Sequence, residues 1–374
     1  MGKGKQTRRD FLKATSAAVA GASLVPIGAS LAADAKVDTS KILSYNENME
    51  YRRCGKTGWM VSAVCLGGHW KRVNKMVPSV FKGESWLSAD LKNQDFIKNR
   101  TDVVTRCLDR GINYIDACTH SEIIAYSKAV EGRRDKVYLG WSWYENEARK
   151  PTFRTAEALL KTLDAGMKEC KQEYVDLWRI TCISNSSKGP DGKMVPPHTE
   201  AESAEIAKAL AQAKKAGKAR MTGISSHDQP WLEYMMKTFP NEISVVVCPY
   251  TAKTKALPEG SFFDTIKQCD CGFFGIKPFS SAAMFKGDSS PGSPHREEDD
   301  RIARLTIRYV LCNPVLTAPI PGMINVEQVD NVALAVMERR ELDAKEKADL
   351  DKAATRAWAA LPRDYQWLKK WEYV

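Results

Sequence analysis

Long apolar runs, zinc-ligand spacings and clustered basic stretches are all missing from this 374-residue chain, and each absence removes a class of function. The most apolar segment lies near the N-terminus and is broken by Pro26, Gly28 and several Ser and Thr. A spanning helix needs about 20 continuous apolar residues, so no permanent membrane span is expected. Histidine is scarce, at five, and no Cys or His pairs stand at zinc-finger spacing. Lys and Arg outnumber Asp and Glu by 56 to 46, a net charge of +10, but they are scattered along the chain. Nucleic acid is therefore not an expected partner. The ten cysteines show no disulfide framework, and Cys269 and Cys271 stand too close for an ordinary bridge. What is present is 43% apolar residues, enough for a sizeable core in either two domains or one α/β barrel with extensions.

Residues 1–35 read as a signal peptide: a basic start, an Ala-rich apolar stretch, then small residues at Ala33-Asp34-Ala35 that suit a signal peptidase. Thr7-Arg8-Arg9-Asp10-Phe11-Leu12-Lys13 resembles the twin-arginine export signal. That resemblance implies the twin-arginine export machinery as a partner, folding before transport, often with cofactor bound, and a periplasmic or extracellular location. Cleavage removes five cations and two acids, which leaves the mature chain at +7. A polar linker over 36–48 follows.

From there, short β-branched runs alternate with longer amphipathic segments. Strands are expected near 61–66, 112–117, 137–141, 175–181, 219–224, 243–248, 272–277 and 316–320, with helices between them, among them 155–171 and 201–215, the latter capped by Gly217. Eight such strands predict an α/β fold, the (β/α)8 TIM barrel. A doubly wound sheet is the alternative, but no strand leads into Gly-x-Gly-x-x-Gly. The loop between Trp70 and Lys98 is long enough to suggest function or mobility. Over 338–374 a C-terminal extension carries Trp358, Trp367 and Trp371, expected to seal the barrel floor or side.

Several motifs resemble the aldo/keto reductase family across 49–337. Tyr51-Arg52-Arg53-Cys54-Gly55-Lys56-Thr57-Gly58 with Val61-Ser62 resembles its N-terminal hairpin, Gly67-Gly68 its first strand end, and Gly111-Ile112-Asn113-Tyr114-Ile115-Asp116 its second strand. Gly217-Lys218-Ala219-Arg220 before Gly223-Ile224-Ser225, and Ile320-Pro321-Gly322 with Glu327-Gln328, resemble the fifth and eighth. The resemblance implies a nicotinamide coenzyme, NAD or NADP, at the C-terminal mouth, and carbonyl reduction by Tyr, Lys, His and Asp. Asp116 matches the Asp. Ser142 stands where the family has Lys, Thr181 where it has His, and no Tyr precedes Ser121-Glu122. The coenzyme contacts implied are Gly67, Gly68, Ser225, Ser226, Lys277, Gly322 and Gln328. Val247 and Ile276 replace a Gln and an aromatic, Asn331 sits one place early, and no Arg or Lys between Pro321 and Asn331 meets a 2′-phosphate.

His120, four residues after Asp116, is the expected substitute proton donor. His69, Cys118 and His120 could together form a metal or thiol site, but their spacing is unlike any zinc motif, and no metal is expected. Two functions compete. One is an exported oxidoreductase with altered acid/base groups, acting on a carbonyl or alcohol small-molecule ligand. The other is a non-catalytic barrel, a pseudoenzyme that binds a small molecule or a protein.

Overall fold

The computed structural model describes residues 38–188, 194–254 and 261–370; the arginine pair, the cleavage segment and Trp371 lie outside the described residues. The chain enters through an antiparallel hairpin, β1 (Tyr51–Arg53) and β2 (Met60–Ser62). It then forms the barrel strands β3 (Leu66–Gly67), β4 (Tyr114–Ala117), β5 (Tyr138–Trp141) and β6 (Val175–Thr181). A small hairpin, β7 (Ser187–Lys188) and β8 (Met194–Val195), leads to β9 (Ala219–Ser225), β10 (Val245–Pro249), β11 (Gly272–Ile276) and β12 (Ala318–Ile320). The eight barrel strands are parallel neighbours in the order β3-β4-β5-β6-β9-β10-β11-β12. A Gly67–Gly322 bridge and Gly67 N–H to the Pro321 carbonyl, 2.8 Å, close the ring.

Helices α1 (Gln94–Asp109), α2 (His120–Ala129), α3 (Ala156–Glu169), α4 (Glu200–Lys215), α5 (Gln229–Thr238) and α6 (Phe262–Gln268) alternate with the strands. α7 (Arg296–Leu311), α8 (Val326–Met337) and α9 (Ala344–Ala359) complete the outer layer, and a 3-10 segment spans Arg363–Lys370. Sequence explains the ends. Thr199 and Glu202 form a capping box at the start of α4, and Gly217 turns the chain beyond it at φ +71°.

Strand parity sorts the core. On β6, Leu177 points inward to a cluster with Tyr114, Val247 and Phe274, while Trp178 and Ile180 pack outward under the helices. Towards the C-terminal end of β6, Arg179 and Thr181 share the inward parity of Leu177, so they emerge at the mouth.

Two expectations need correction. The stretch 61–66 is not one strand: Ser62 Oγ donates to the Val64 carbonyl, 2.7 Å, as the chain turns out of the hairpin and up into the barrel. The floor is closed by that hairpin, whose Trp59 stacks on Tyr138 at 4.6 Å and joins the inner cluster. Trp367 instead reaches the opposite end, the mouth. The loop after β3 is packed down, with Trp70 buried edge-on against Phe96 and Tyr126.

Candidate active site

A cavity of about 840 Å³ opens where the barrel strands end. Asp116, inward on β4, stands at its base. Arg179 Nε donates to Asp116 Oδ1 at 2.8 Å, Arg179 Nη2 meets Oδ2, and the Tyr114 hydroxyl adds a third hydrogen bond to Oδ1 at 3.1 Å. Both side chains of the pair are at most 5% exposed. Burial opposes the guanidinium charge, but Asp116 outweighs it and raises the Arg179 pKa.

Ser142 and Thr181 come together as the family pattern implies, but with a third group behind them. Their hydroxyls are in contact, and Ser142 Oγ donates to Glu147 Oε2 at 2.8 Å. Glu147 also accepts from Thr181 N–H, 2.7 Å, and the Trp178 indole, 3.2 Å. Burial raises its carboxyl pKa against these hydrogen bonds. Of the three, Thr181 alone lines the cavity.

His120 does not reach it. As the first residue of α2 it faces outward: its ring stacks on Trp143 at 5.0 Å and Nε2 lies 3.0 Å from Glu169. The expected proton donor is thus paired outside the cavity, because Thr119 caps the helix and turns the next side chain away. His69 and Cys118 do line the cavity, joined by Glu122 rather than His120. His69 Nδ1 is 2.9 Å from Glu122 Oε1 and 3.6 Å from Cys118 Sγ. Burial and the Glu122 charge push the Cys118 thiol well above its usual pKa. Burial raises the Glu122 carboxyl while His69 and two backbone N–H groups lower it, and the lowering wins.

Across the mouth, Lys277 sits 5.6 Å from the rings of both Tyr365 and Trp367, and His227 stacks on Trp367 at 4.0 Å. Burial lowers the Lys277 pKa and, with Lys277 beside it, pushes the His227 imidazole well below its usual value. The Arg363–Lys370 segment thereby walls the cavity. Gly67, Gly68, Ser225, Ser226, Gly322 and Gln328 all line it, as do Ile276 and Asn331; Val247 is buried inside the barrel. Gly322 has no room for a Cβ, which would lie 2.5 Å from the Gly68 carbonyl. Asn325 caps α8 by accepting from Gln328 N–H, and Gln328 Oε1 accepts from Ile324 N–H at 2.9 Å. Arg296, from α7, supplies a cation on this side that the segment 321–331 lacks.

Sequence reasoning missed Arg179, Glu122, Glu147 and Tyr144, the last a cavity residue on the turn after β5. Arg179 was within reach, since it lies two residues before Thr181 on one strand and must share its face.

A family model described as aldo/keto reductase family matches residues 92–355. An aldo-keto reductase from Bacillus halodurans in its holo form is similar in fold, with a TM-score of 0.56 at 17% identity over 85% of this chain and 99% of that one. An aldo/keto reductase from Klebsiella pneumoniae, solved with NADP and acetate, gives 0.57 at 16% identity over 81% and 94%. No curated protein matches the chain in sequence. With more than two thirds of its length matched by the family model, the chain belongs to the aldo/keto reductase family.

Proposed function

We propose that the protein is an exported oxidoreductase that acts on a carbonyl or alcohol with a nicotinamide nucleotide bound at the barrel mouth. The observation that carries this reading is one cavity joining Asp116 to the Gly322–Gln328 segment. Its volume, about 840 Å³, suits a dinucleotide with a small substrate. Six cations line it, Lys71, Arg72, Arg149, Arg179, Lys277 and Arg296, against the carboxylates of Asp116, Asp299, Asp300 and Glu327. That surplus favours a diphosphate. The Klebsiella relative was solved with NADP. When bound, such a nucleotide supplies the hydride.

The chain supplies the rest. Arg179 engages both oxygens of Asp116 at the base, so Asp116 orients the guanidinium there. Thr181 Oγ1 is the hydroxyl presented to the cavity, and behind it Ser142 links that hydroxyl to the buried Glu147 carboxyl. These are the altered acid/base groups. The non-catalytic reading is favoured by one observation, that Arg179 engages both oxygens of Asp116.

Native mass spectrometry of the protein purified before export tests the proposal. The expected result is a co-purified dinucleotide, or quenching of tryptophan fluorescence on titration with NADH or NADPH. Absence of both the dinucleotide mass and the quenching would overturn the nucleotide reading and leave the small-molecule binder.

A further inference from the structure

We infer that His69, Cys118 and Glu122 form a site for one divalent cation of the zinc class, open to the cavity. The three residues lie at the ends of β3 and β4 and in the first turn of α2, and their ligand atoms are all within 4.8 Å of one another. In a tetrahedral site with a metal–sulfur bond of about 2.3 Å and metal–nitrogen or metal–oxygen bonds of about 2.0–2.1 Å, neighbouring ligands stand roughly 3.3–3.6 Å apart. Cys118 Sγ and His69 Nδ1 are already 3.6 Å apart. His69 Nδ1 and Glu122 Oε1, 2.9 Å apart, need to widen by about 0.4 Å to reach that spacing.

The ligands are also held ready. The Glu122 side chain is fully buried, and one oxygen accepts from Cys118 N–H at 2.7 Å while the other accepts from His69 N–H. Gly68 lies directly over it: a Cβ there would sit 2.0 Å from Glu122 Cδ. His69 adopts φ +54°, a left-handed conformation uncommon for a residue with a Cβ, and Trp86 packs against its ring at 4.6 Å. Strain of this kind persists where surrounding contacts impose it. Sulfur, nitrogen and carboxylate oxygen together select zinc or cobalt over magnesium or calcium. With His120 paired to Glu169, three protein ligands remain, and the fourth position faces the cavity for water or an oxygen of a bound ligand.

Titration of the whole, chelator-treated protein with cobalt(II) chloride, without nucleotide or substrate, tests this independently of the oxidoreductase proposal. One cobalt per chain is expected, with a thiolate-to-cobalt charge-transfer band and tetrahedral ligand-field bands, displaced by zinc. Cys118→Ser should abolish the charge-transfer band, and His69→Gln should weaken cobalt binding at least tenfold. His120→Gln should change neither. Absence of the thiolate band in the wild type, its persistence in Cys118→Ser, or unchanged affinity in His69→Gln would each overturn the site; the last holds even if Cys118→Ser fails to fold.

Discussion

Replacing Arg179 with Met tests whether the Asp116 pair is the electrostatic keystone of the mouth. Met keeps most of the side-chain volume but removes the cation, so a carboxylate that is 5% exposed keeps only the Tyr114 hydroxyl as an identified side-chain partner. Breaking one side of a buried pair costs about 3–5 kcal/mol, because an uncompensated charge stays in a medium that solvates it poorly. Removing both charges together, as in Arg179→Met with Asp116→Leu, avoids that penalty and should recover at least half of the loss. Urea unfolding followed by tryptophan fluorescence measures Arg179→Met, Asp116→Leu and the double variant, and an unchanged slope of free energy against denaturant shows that the same surface unfolds in each. The reasoning is refuted if Arg179→Met lies within about 0.5 kcal/mol of wild type, the scatter of ordinary surface changes. It is equally refuted if the double variant is as unstable as the sum of the singles, since contacting partners must couple.

Burial, with Arg154 nearby, pushes the His198 imidazole down to about 4, and its Nε2 accepts the Ile183 N–H at 3.0 Å. The unfolded chain therefore takes up that proton first, so stability present above about pH 6.5 is lost as the pH falls toward 4, by about 3 kcal/mol in all. His198→Gln should flatten this part of a urea-midpoint profile, and an unchanged slope would exclude the assignment. Gly68→Ala would drive a methyl group against the Glu122 carboxyl, and a loss of about 1–3 kcal/mol by the same assay is expected from such overpacking; a neutral variant would mean that Glu122 can move aside. Arg8→Lys with Arg9→Lys keeps the charge but not the guanidinium geometry, and the mature form should then stay in the cytoplasm. Normal export of that variant, read by cell fractionation, would remove the twin-arginine signal from the proposal.

The barrel was legible because eight short apolar, β-branched runs such as 175–181 recur with longer amphipathic segments between them, which is the pattern of strand and helix in turn. The first strand misled because Val61 to Leu66 is apolar apart from Ser62, and one serine in such a run does not reveal that the chain turns there. At the mouth, nearness in sequence was a poor guide. His120 is four residues from Asp116 yet faces Glu169, because α2 begins between them, whereas Glu122, one half-turn further on, comes back beneath Gly68. Glu147 carries no periodic signal at all, as it lies on a turn whose path is set by its own buried hydrogen bonds. Which end of the barrel Trp367 would cover depends on the route of the chain after α9, and residue type alone contains no such information.

A ring of strands resists opening only as well as its thinnest joint. Here β6 and β9 are paired at six positions, whereas β3 contributes two residues and meets β12 and the loop after it through Gly67, Gly322 and the bonds to Pro319 and Pro321. That joint is also a wall of the cavity. Amide hydrogens there should exchange with solvent ahead of those on β6, since local opening follows the weakest ladder. A ligand that touches both the Gly68 side and the Gly322 side acts as a rivet across the joint, and at one hundred times its dissociation constant it would add about 2.7 kcal/mol to the whole fold. In this barrel, being filled and staying shut are mechanically one event.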